Sequence, residues 1–178
     1  MLTNQQIQEN KIKYLELVSK LHFDMTQFSV YLDAVGYFTA PNTTQYHRAY
    51  EGGLCQTALD TYDILLSQAN HYFPGMYTEE YIIAVALFRN IYRAEMYEYV
   101  PSRGIYQTRK ERPTYGNLGL SSLMTVEHFY KDLTDEQKIC IMHGSSSCNE
   151  PDLYDMRRSY KLLPLVTITD IIVSSYFN

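Results

Sequence analysis

The chain has 178 residues, 46% of them hydrophobic, and carries a formal net charge of −5 at pH 7. Domains commonly contain roughly 100 to 200 residues, so this composition suits one domain with an apolar core over residues 1–178. The acidic balance argues against a general nucleic-acid binder, because such proteins normally carry a basic excess.

The cysteines and the first residues predict a cytoplasmic protein. Cys55, Cys140 and Cys148 are odd in number and lack the spacing of a zinc finger, so we interpret them as reduced thiols. The opening sequence, MLTNQQIQENKIKYLELVSK, lacks the apolar core of a signal peptide. No apolar run approaches the roughly 20 residues of a membrane span. We therefore expect no association with membranes.

Two amphipathic helices are predicted at the start of the chain. The first runs from Gln5 to about Leu21, with Asn4 as its N-cap. Its apolar face consists of residues spaced mainly three and four apart, namely Ile7, Tyr14, Leu15, Val18 and Leu21. The second runs roughly from Asp24 to Val35, and Gly36 is placed to end it in the left-handed conformation. Together they form an N-terminal helical pair, residues 1–37.

A loop and two longer helices follow. Gly52 and Gly53 would let the backbone turn sharply into a helix that presents one apolar face, made of Leu54, Ala58, Tyr62, Leu65 and Ala69. Thr78 is placed to cap the next helix. The middle of that helix, IIAVALF at 82–88, is apolar all round. This pattern predicts the central buried helix of the fold.

The segment around 97–118 changes character, because glycine and proline punctuate a polar sequence that allows at most a short hairpin. Its basic residues would form either a cationic lid or a solvated loop; they are Arg103, Arg109, Lys110 and Arg112.

Helical periodicity returns near Gly119 and again after a capping signal at 134–137. Ser145 to Pro151 is predicted as a loop, and Arg157, Arg158 and Lys161 as an exposed helical face. The last helix runs from about Leu162 to Phe177. The fold class is therefore all-α, a compact bundle of about seven helices with a short irregular or hairpin insertion.

Two stretches carry a family resemblance: APNTTQYHRAYEGGLCQTALDTY at 40–62 and AVALFRNIYRAEMY at 84–97. They resemble the metal-site segments of the HD-domain phosphohydrolases, which read close to YHxAYEGGLxEHS and ALxHDxxKAxxY. The resemblance covers roughly Phe38 to Ser175 and implies an HD-like core at 38–178.

The resemblance also indicates which positions held the metal. In the family, a His, an adjacent His-Asp pair and a distant Asp bind a divalent cation; these positions fall on Thr57, Arg89, Asn90 and Asp170. Arginine offers no lone pair and is always protonated, so a retained metal site is disfavoured. We predict that Arg89 instead pairs with Asp170, because a buried carboxylate without its cation would be costly. No metal, cofactor or catalytic residue is expected on this interpretation.

Five residues are candidates for binding a ligand: His47, Arg89, Arg93, Asn117 and His143. Arg93 stands where the family often has Lys and retains a cation that could face a phosphate. Asn117 and His143 fall near the family's third and fourth motifs. Each also has a structural interpretation: His47 could pack the loop onto the motif helix, Arg93 could be a surface residue, and His143 could end a helix.

Three functions follow from the resemblance. The first is an HD-fold pseudoenzyme that binds a nucleotide, a phosphorylated small molecule or a protein partner. Short HD proteins of this type look like those carried by phages and bacterial mobile elements. The alternatives are an active HD-type phosphohydrolase acting on nucleotides through a rearranged metal site, which would need a divalent cation, and a structural protein-interaction module.

Overall fold

A computed structural model of the chain describes residues 1–110, 117–143 and 151–176. The described residues form nine helices and a two-stranded antiparallel sheet. In chain order these are α1 (Asn4–Ser19), α2 (Met25–Ala34), α3 (Gly53–Tyr72), α4 (Glu79–Phe88), α5 (Arg93–Met96), β1 (Tyr97–Val100), β2 (Ile105–Thr108), α6 (Leu118–Glu127), α7 (Asp135–His143), α8 (Pro151–Ser159) and α9 (Leu162–Tyr176). The helical fold class is confirmed.

The helix count exceeds the prediction of about seven. One addition is α5, a single turn that follows α4 after a short break. The other is α8, which begins at Pro151 and carries Arg157 and the exposed Arg158. The loop predicted from Ser145 to Pro151 falls outside the described residues except at Pro151.

Local capping explains where the first helices begin. Thr3, rather than the predicted Asn4, caps α1: its hydroxyl accepts the Gln6 N–H at 3.2 Å, and the Gln6 side chain accepts the Thr3 N–H at 2.8 Å. This reciprocal pair satisfies two backbone donors at once, which Asn4 cannot do from inside the first turn. Asp24, predicted as the first residue of the second helix, is the N-cap of α2. Gly36 has φ of +69°, the left-handed conformation that was predicted for it.

Helix α4 lies at the centre of the fold. Every residue from Ile82 to Phe88 is at most 1% exposed, which confirms the prediction from its apolar sequence. It packs against α1, α3, α6 and α7. The Tyr14 hydroxyl of α1 donates to the Leu87 carbonyl oxygen at 3.1 Å, so this polar group enters the core with a partner.

The predicted hairpin is present as β1 and β2. Tyr99 lies opposite Tyr106 and Val100 opposite Ile105, while Gly104 turns the chain with φ of +63°. The described basic residues of this segment, Arg103, Arg109 and Lys110, are exposed. Arg112 lies outside the described residues.

A carboxylate on α7 fixes the start of α9. Thr134 and Gln137 form the predicted capping box of α7, with hydrogen bonds of 2.8 and 3.3 Å. Glu136 accepts from the Tyr77 hydroxyl at 3.0 Å, the Tyr81 hydroxyl at 3.1 Å and the Leu162 N–H at 2.9 Å. Helix α9 therefore begins against a fixed acceptor.

Cys55 and Cys140 are buried free thiols, as predicted, and Cys148 lies outside the described residues. No helix in the described part of the chain is long and apolar enough to cross a membrane.

Candidate functional site

The loop between α2 and α3 brings the first motif against the core. Arg48 adopts φ of +53°, and its carbonyl oxygen accepts the Asn42 N–H at 3.1 Å. Gly52 has φ of +81°, a conformation that favours glycine. A Cβ placed on Gly53 would lie 2.3 Å from the Arg48 carbonyl oxygen. The paired glycines are thus required by a turn and by a close backbone approach.

A polar pocket of about 120 Å³ opens where this loop meets α3, α5 and α9. Five of the predicted site residues line it: His47, Thr57, Asn90, Arg93 and Asp170. The loop contributes His47, α3 contributes Thr57, and α9 contributes Asp170. The two motifs that are separated in sequence therefore meet at one place.

The predicted ion pair between Arg89 and Asp170 is confirmed. Arg89 follows the last residue of α4 and its side chain is fully buried, while the Asp170 side chain is 34% exposed. The Arg89 Nη2 atom donates to Asp170 Oδ1. A guanidinium therefore neutralises the carboxylate at the pocket wall.

A second ion pair lies beside Thr57. Arg48 is 6% exposed, and its Nη2 atom donates to the Asp60 carboxylate. Its Nη1 atom lies 3.5 Å from the Thr57 hydroxyl. Sequence reasoning missed this pair, because the left-handed backbone that points Arg48 inward is not visible in the sequence. The available signal was Asp60, which stands one helical turn after Thr57.

Arg93 occupies the wall of the pocket next to the loop. Its Nη1 atom donates to the Asn42 carbonyl oxygen at 2.7 Å. Burial lowers the pKa of this guanidinium, and the nearby charge of Arg89 acts in the same direction. Within the described residues Arg93 forms no ion pair, and arginine remains protonated in proteins. The pocket therefore contains a positive charge without a carboxylate of its own.

Two amides complete the pocket. Asn42 and Asn90 are each 5% exposed. Their side-chain oxygens, together with Arg93 Nε, are shielded from solvent and have no hydrogen-bond partner in the described part of the chain. Buried polar groups normally have partners, so unpaired ones indicate room for an occupant that supplies them. Asn42 lies in the polar run before the motif, and sequence reasoning did not identify it.

Two candidate ligand residues lie elsewhere. Asn117 caps α6, where its side-chain oxygen accepts the Leu120 N–H at 2.7 Å. His143 is the last residue of α7 and is half-buried. Neither lines the pocket described above.

The donor set does not fit a divalent metal. Thr57 and Asn90 offer neutral oxygens, while the Asp170 carboxylate is paired with Arg89. Across the described ranges, no three His, Cys, Asp or Glu side chains come together in a group that could hold a metal ion. Of the four positions that would correspond to metal ligands, Thr57 is hydrogen-bonded, and Arg89 and Asp170 form an ion pair. The Asn90 side-chain oxygen has no partner among the described residues.

Comparison with protein-family models, curated proteins and solved structures finds no match to this chain. What the pocket can bind is therefore inferred from the side chains that line it.

Proposed function

We propose that this protein is an HD-fold pseudoenzyme whose pocket binds a phosphorylated small molecule, such as a nucleotide, without hydrolysing it. The observation that carries the proposal is the contact between the buried Arg89 and Asp170. On this interpretation a guanidinium replaces the metal ion electrostatically, and the fold is retained for binding.

The loss of hydrolysis follows from the properties of arginine. Metal-dependent hydrolases generate their nucleophile by lowering the pKa of a bound water, which requires a cation with an open coordination position. A guanidinium balances the charge of Asp170 but cannot coordinate water as a metal does. The Arg89–Asp170 pair therefore supports binding over turnover.

The positive charge of Arg93 is the reason to expect an anionic ligand. Since Asp170 is already paired, Arg93 gives the pocket wall its uncompensated charge. The Asn42 and Asn90 amides each offer a carbonyl oxygen and an NH₂ group, so they can complement both the P–OH and the P–O atoms of a phosphate. A cavity of about 120 Å³ exceeds the roughly 10 to 15 Å³ that one water needs. It suits a compact group such as a phosphoryl.

The remainder of a larger ligand has space next to the pocket. A wider cavity of about 730 Å³ shares His47 and Ser174 with the polar pocket and is bordered by the exposed Tyr46. An aromatic ring at this position can stack on a base. The pair of cavities thus favours a nucleotide over inorganic phosphate alone.

Calorimetric titration with inorganic phosphate and with nucleoside monophosphates tests the proposal. We expect a nucleotide to bind more tightly than phosphate and to raise the melting temperature, since a ligand at 100 times its Kd stabilises the native state by about 2.7 kcal/mol. Arg93→Gln should abolish binding of both, whereas Arg103→Gln, a change at an exposed arginine outside the pocket, should leave it intact.

Turnover assays test whether the protein is instead an active phosphohydrolase. The protein is incubated with Mn²⁺, Ni²⁺ or Zn²⁺ and with phosphomonoesters or cyclic nucleotides. Metal-dependent hydrolysis that disappears in Asp170→Ala would establish the active phosphohydrolase instead. If no nucleotide or phosphate binds, the anion pocket is rejected and a protein-interaction role takes its place.

A further inference from the structure

A second cavity, which we call the tyrosine cavity, lies between the hairpin and the loop that follows α2. It measures about 700 Å³, and its lining includes Tyr50, Glu51, Tyr97, Tyr99 and Tyr106. This volume lies within the range of roughly 300 to 1,000 Å³ that small-molecule sites occupy. It shares no lining residue with the polar pocket around Asp170. Tyr50 also borders the wider cavity of about 730 Å³, whereas Glu51, Tyr97, Tyr99 and Tyr106 do not.

The strand register places the aromatic rings. Tyr97 and Tyr99 are two residues apart in β1 and therefore point to the same side of the hairpin. Tyr106 in β2 lies opposite Tyr99, with ring centroids 5.2 Å apart and planes tilted by 58°. Tyr50 adds a fourth ring from the loop. The cavity is therefore lined by aromatic residues from two separate segments of the chain.

Glu51 gives this aromatic wall its charge. Glu51 and Tyr106 line the same cavity. Burial raises the pKa of Tyr106, and the carboxylate of Glu51 adds to the effect. In the described part of the chain the Glu51 carboxylate accepts no hydrogen bond and forms no ion pair. Glu51 is therefore available to a ligand.

The other charged groups at the cavity are hydrogen-bonded to neutral partners or open to solvent. The Gln107 side chain donates to the Glu98 carboxylate at 2.6 Å. Arg109 donates through Nε to the Tyr97 carbonyl oxygen at 3.1 Å, and its side chain is exposed. Met1 also borders the cavity but is fully exposed. Glu51, which is exposed, differs from Glu98 and Arg109 because it has no hydrogen-bond partner among the described residues.

We propose that the tyrosine cavity binds a small organic cation, with its ammonium group against the tyrosine faces and beside Glu51. The negative face of an aromatic ring attracts a cation through its quadrupole, and this attraction strengthens when the cation is desolvated. A neighbouring carboxylate supplies the counter-charge that partial burial of an ammonium requires. The four tyrosines would supply the attraction to the cation, and the Glu51 carboxylate would supply the counter-charge.

Choline and its neutral isostere 3,3-dimethylbutan-1-ol have similar shapes and differ in charge. A comparison of their affinities therefore isolates the contribution of the charge. Their binding to the unaltered protein is measured by calorimetry or by NMR titration. We expect choline to bind about tenfold more tightly than the alcohol, since a contact worth about 1.4 kcal/mol changes affinity tenfold. Equal binding of the two compounds, or no binding of choline, would overturn the proposal without the need for any variant.

Variants locate the site. Glu51→Gln should weaken choline binding about tenfold and leave binding of the alcohol unchanged, because only the charge is lost. Tyr106→Leu should weaken choline binding while preserving an apolar wall. Glu16→Gln removes a carboxylate from an exposed position on α1 and should change neither. Unaltered choline affinity in Glu51→Gln would contradict this assignment.

Discussion

The guanidinium of Arg89, buried at the end of α4, donates to the partly exposed carboxylate of Asp170 on α9. The two residues are 81 positions apart in the chain, so the contact joins distant helices. Their exposures differ: the Arg89 side chain is fully buried, whereas a third of the Asp170 side chain reaches solvent. Loss of one partner should therefore be more costly than loss of the other.

Asp170→Asn should destabilise the protein by about 3 kcal/mol, because it leaves a fully buried cation without its counter-charge. Arg89→Met should cost less, since water can solvate the exposed part of Asp170 and methionine can fill much of the space. Urea unfolding of both variants and of the double variant measures the coupling between them. A loss below about 0.5 kcal/mol for Asp170→Asn would mean that the pair contributes little.

Gly53→Ala tests the close approach of the loop to α3. The new Cβ would lie 2.3 Å from the Arg48 carbonyl oxygen, so the loop or the helix must shift. We expect a loss of about 2 to 3 kcal/mol in unfolding free energy.

Gly75→Ala is the matched control for this variant. Gly75 has φ of +73° and nothing within 4 Å of the added Cβ, so only backbone strain of about 1 kcal/mol should appear. If Gly53→Ala costs no more than Gly75→Ala, then the loop does not lie as close to α3 as described.

Glu79 should contribute to stability in a pH-dependent way. Lys20 donates to its carboxylate at 2.7 Å and the Tyr62 hydroxyl at 2.6 Å, and these hydrogen bonds hold the pKa of Glu79 below its usual value. A carboxyl with a lowered pKa stabilises the fold above its unfolded-state pKa of about 4.3 and loses that contribution as the pH falls through its folded pKa.

The effect at Glu79 should be below about 1 kcal/mol, because the ion pair with Lys20 is partly exposed. Unfolding measured at neutral and at acid pH should give a smaller difference in Glu79→Gln than in the parent. Glu16→Gln should keep the parental difference. Parallel pH profiles for the parent and Glu79→Gln would show that these hydrogen bonds do not favour the ionised form.

Cys55 should be chemically inert in the native protein. It is 1% exposed, and burial raises the pKa of its thiol to about 12. Since the thiolate is the reactive form, iodoacetamide at about pH 8 should label Cys55 only after unfolding in urea. Mass spectrometry of peptides from native and unfolded samples measures this. Rapid labelling of native Cys55 would mean that the packing of α1 on α3 opens readily.

The raised pKa of Cys55 also predicts the direction in which stability changes at alkaline pH. The protonated thiol is favoured in the fold, so its contribution is complete below the unfolded-state pKa of about 8.5 and is lost as the pH rises toward 12. Stability should therefore decline over this interval, and Cys55→Ala should decline less steeply.

The helices and their caps could be predicted because their signals are local. Thr78 and the 134–137 box supply side-chain acceptors at fixed offsets from the helix start. The sequence at 82–88 is apolar on every side and is buried on every side. The Arg89–Asp170 contact was predictable from the resemblance together with opposite charge.

The rest of the site depends on geometry that no short pattern encodes. Arg48 reaches Asp60 because its backbone is left-handed, and Asn42 reaches Arg93 because the loop folds back on itself. The tyrosine cavity needs both this loop and the register of the hairpin. Each feature arises from long-range packing, which composition and periodicity do not reveal.

The anchoring of Leu162 by Glu136 determines more than where α9 begins. Asp170 lies eight residues further along the same helix, about 12 Å away at 1.5 Å per residue. Each residue turns an α-helix by about 100°, so deletion or insertion of one residue between these points would rotate Asp170 out of reach of Arg89. The number of residues between Leu162 and Asp170 is therefore fixed by the ion pair with Arg89. Side chains along this part of α9 can be substituted, but residues cannot be inserted or deleted.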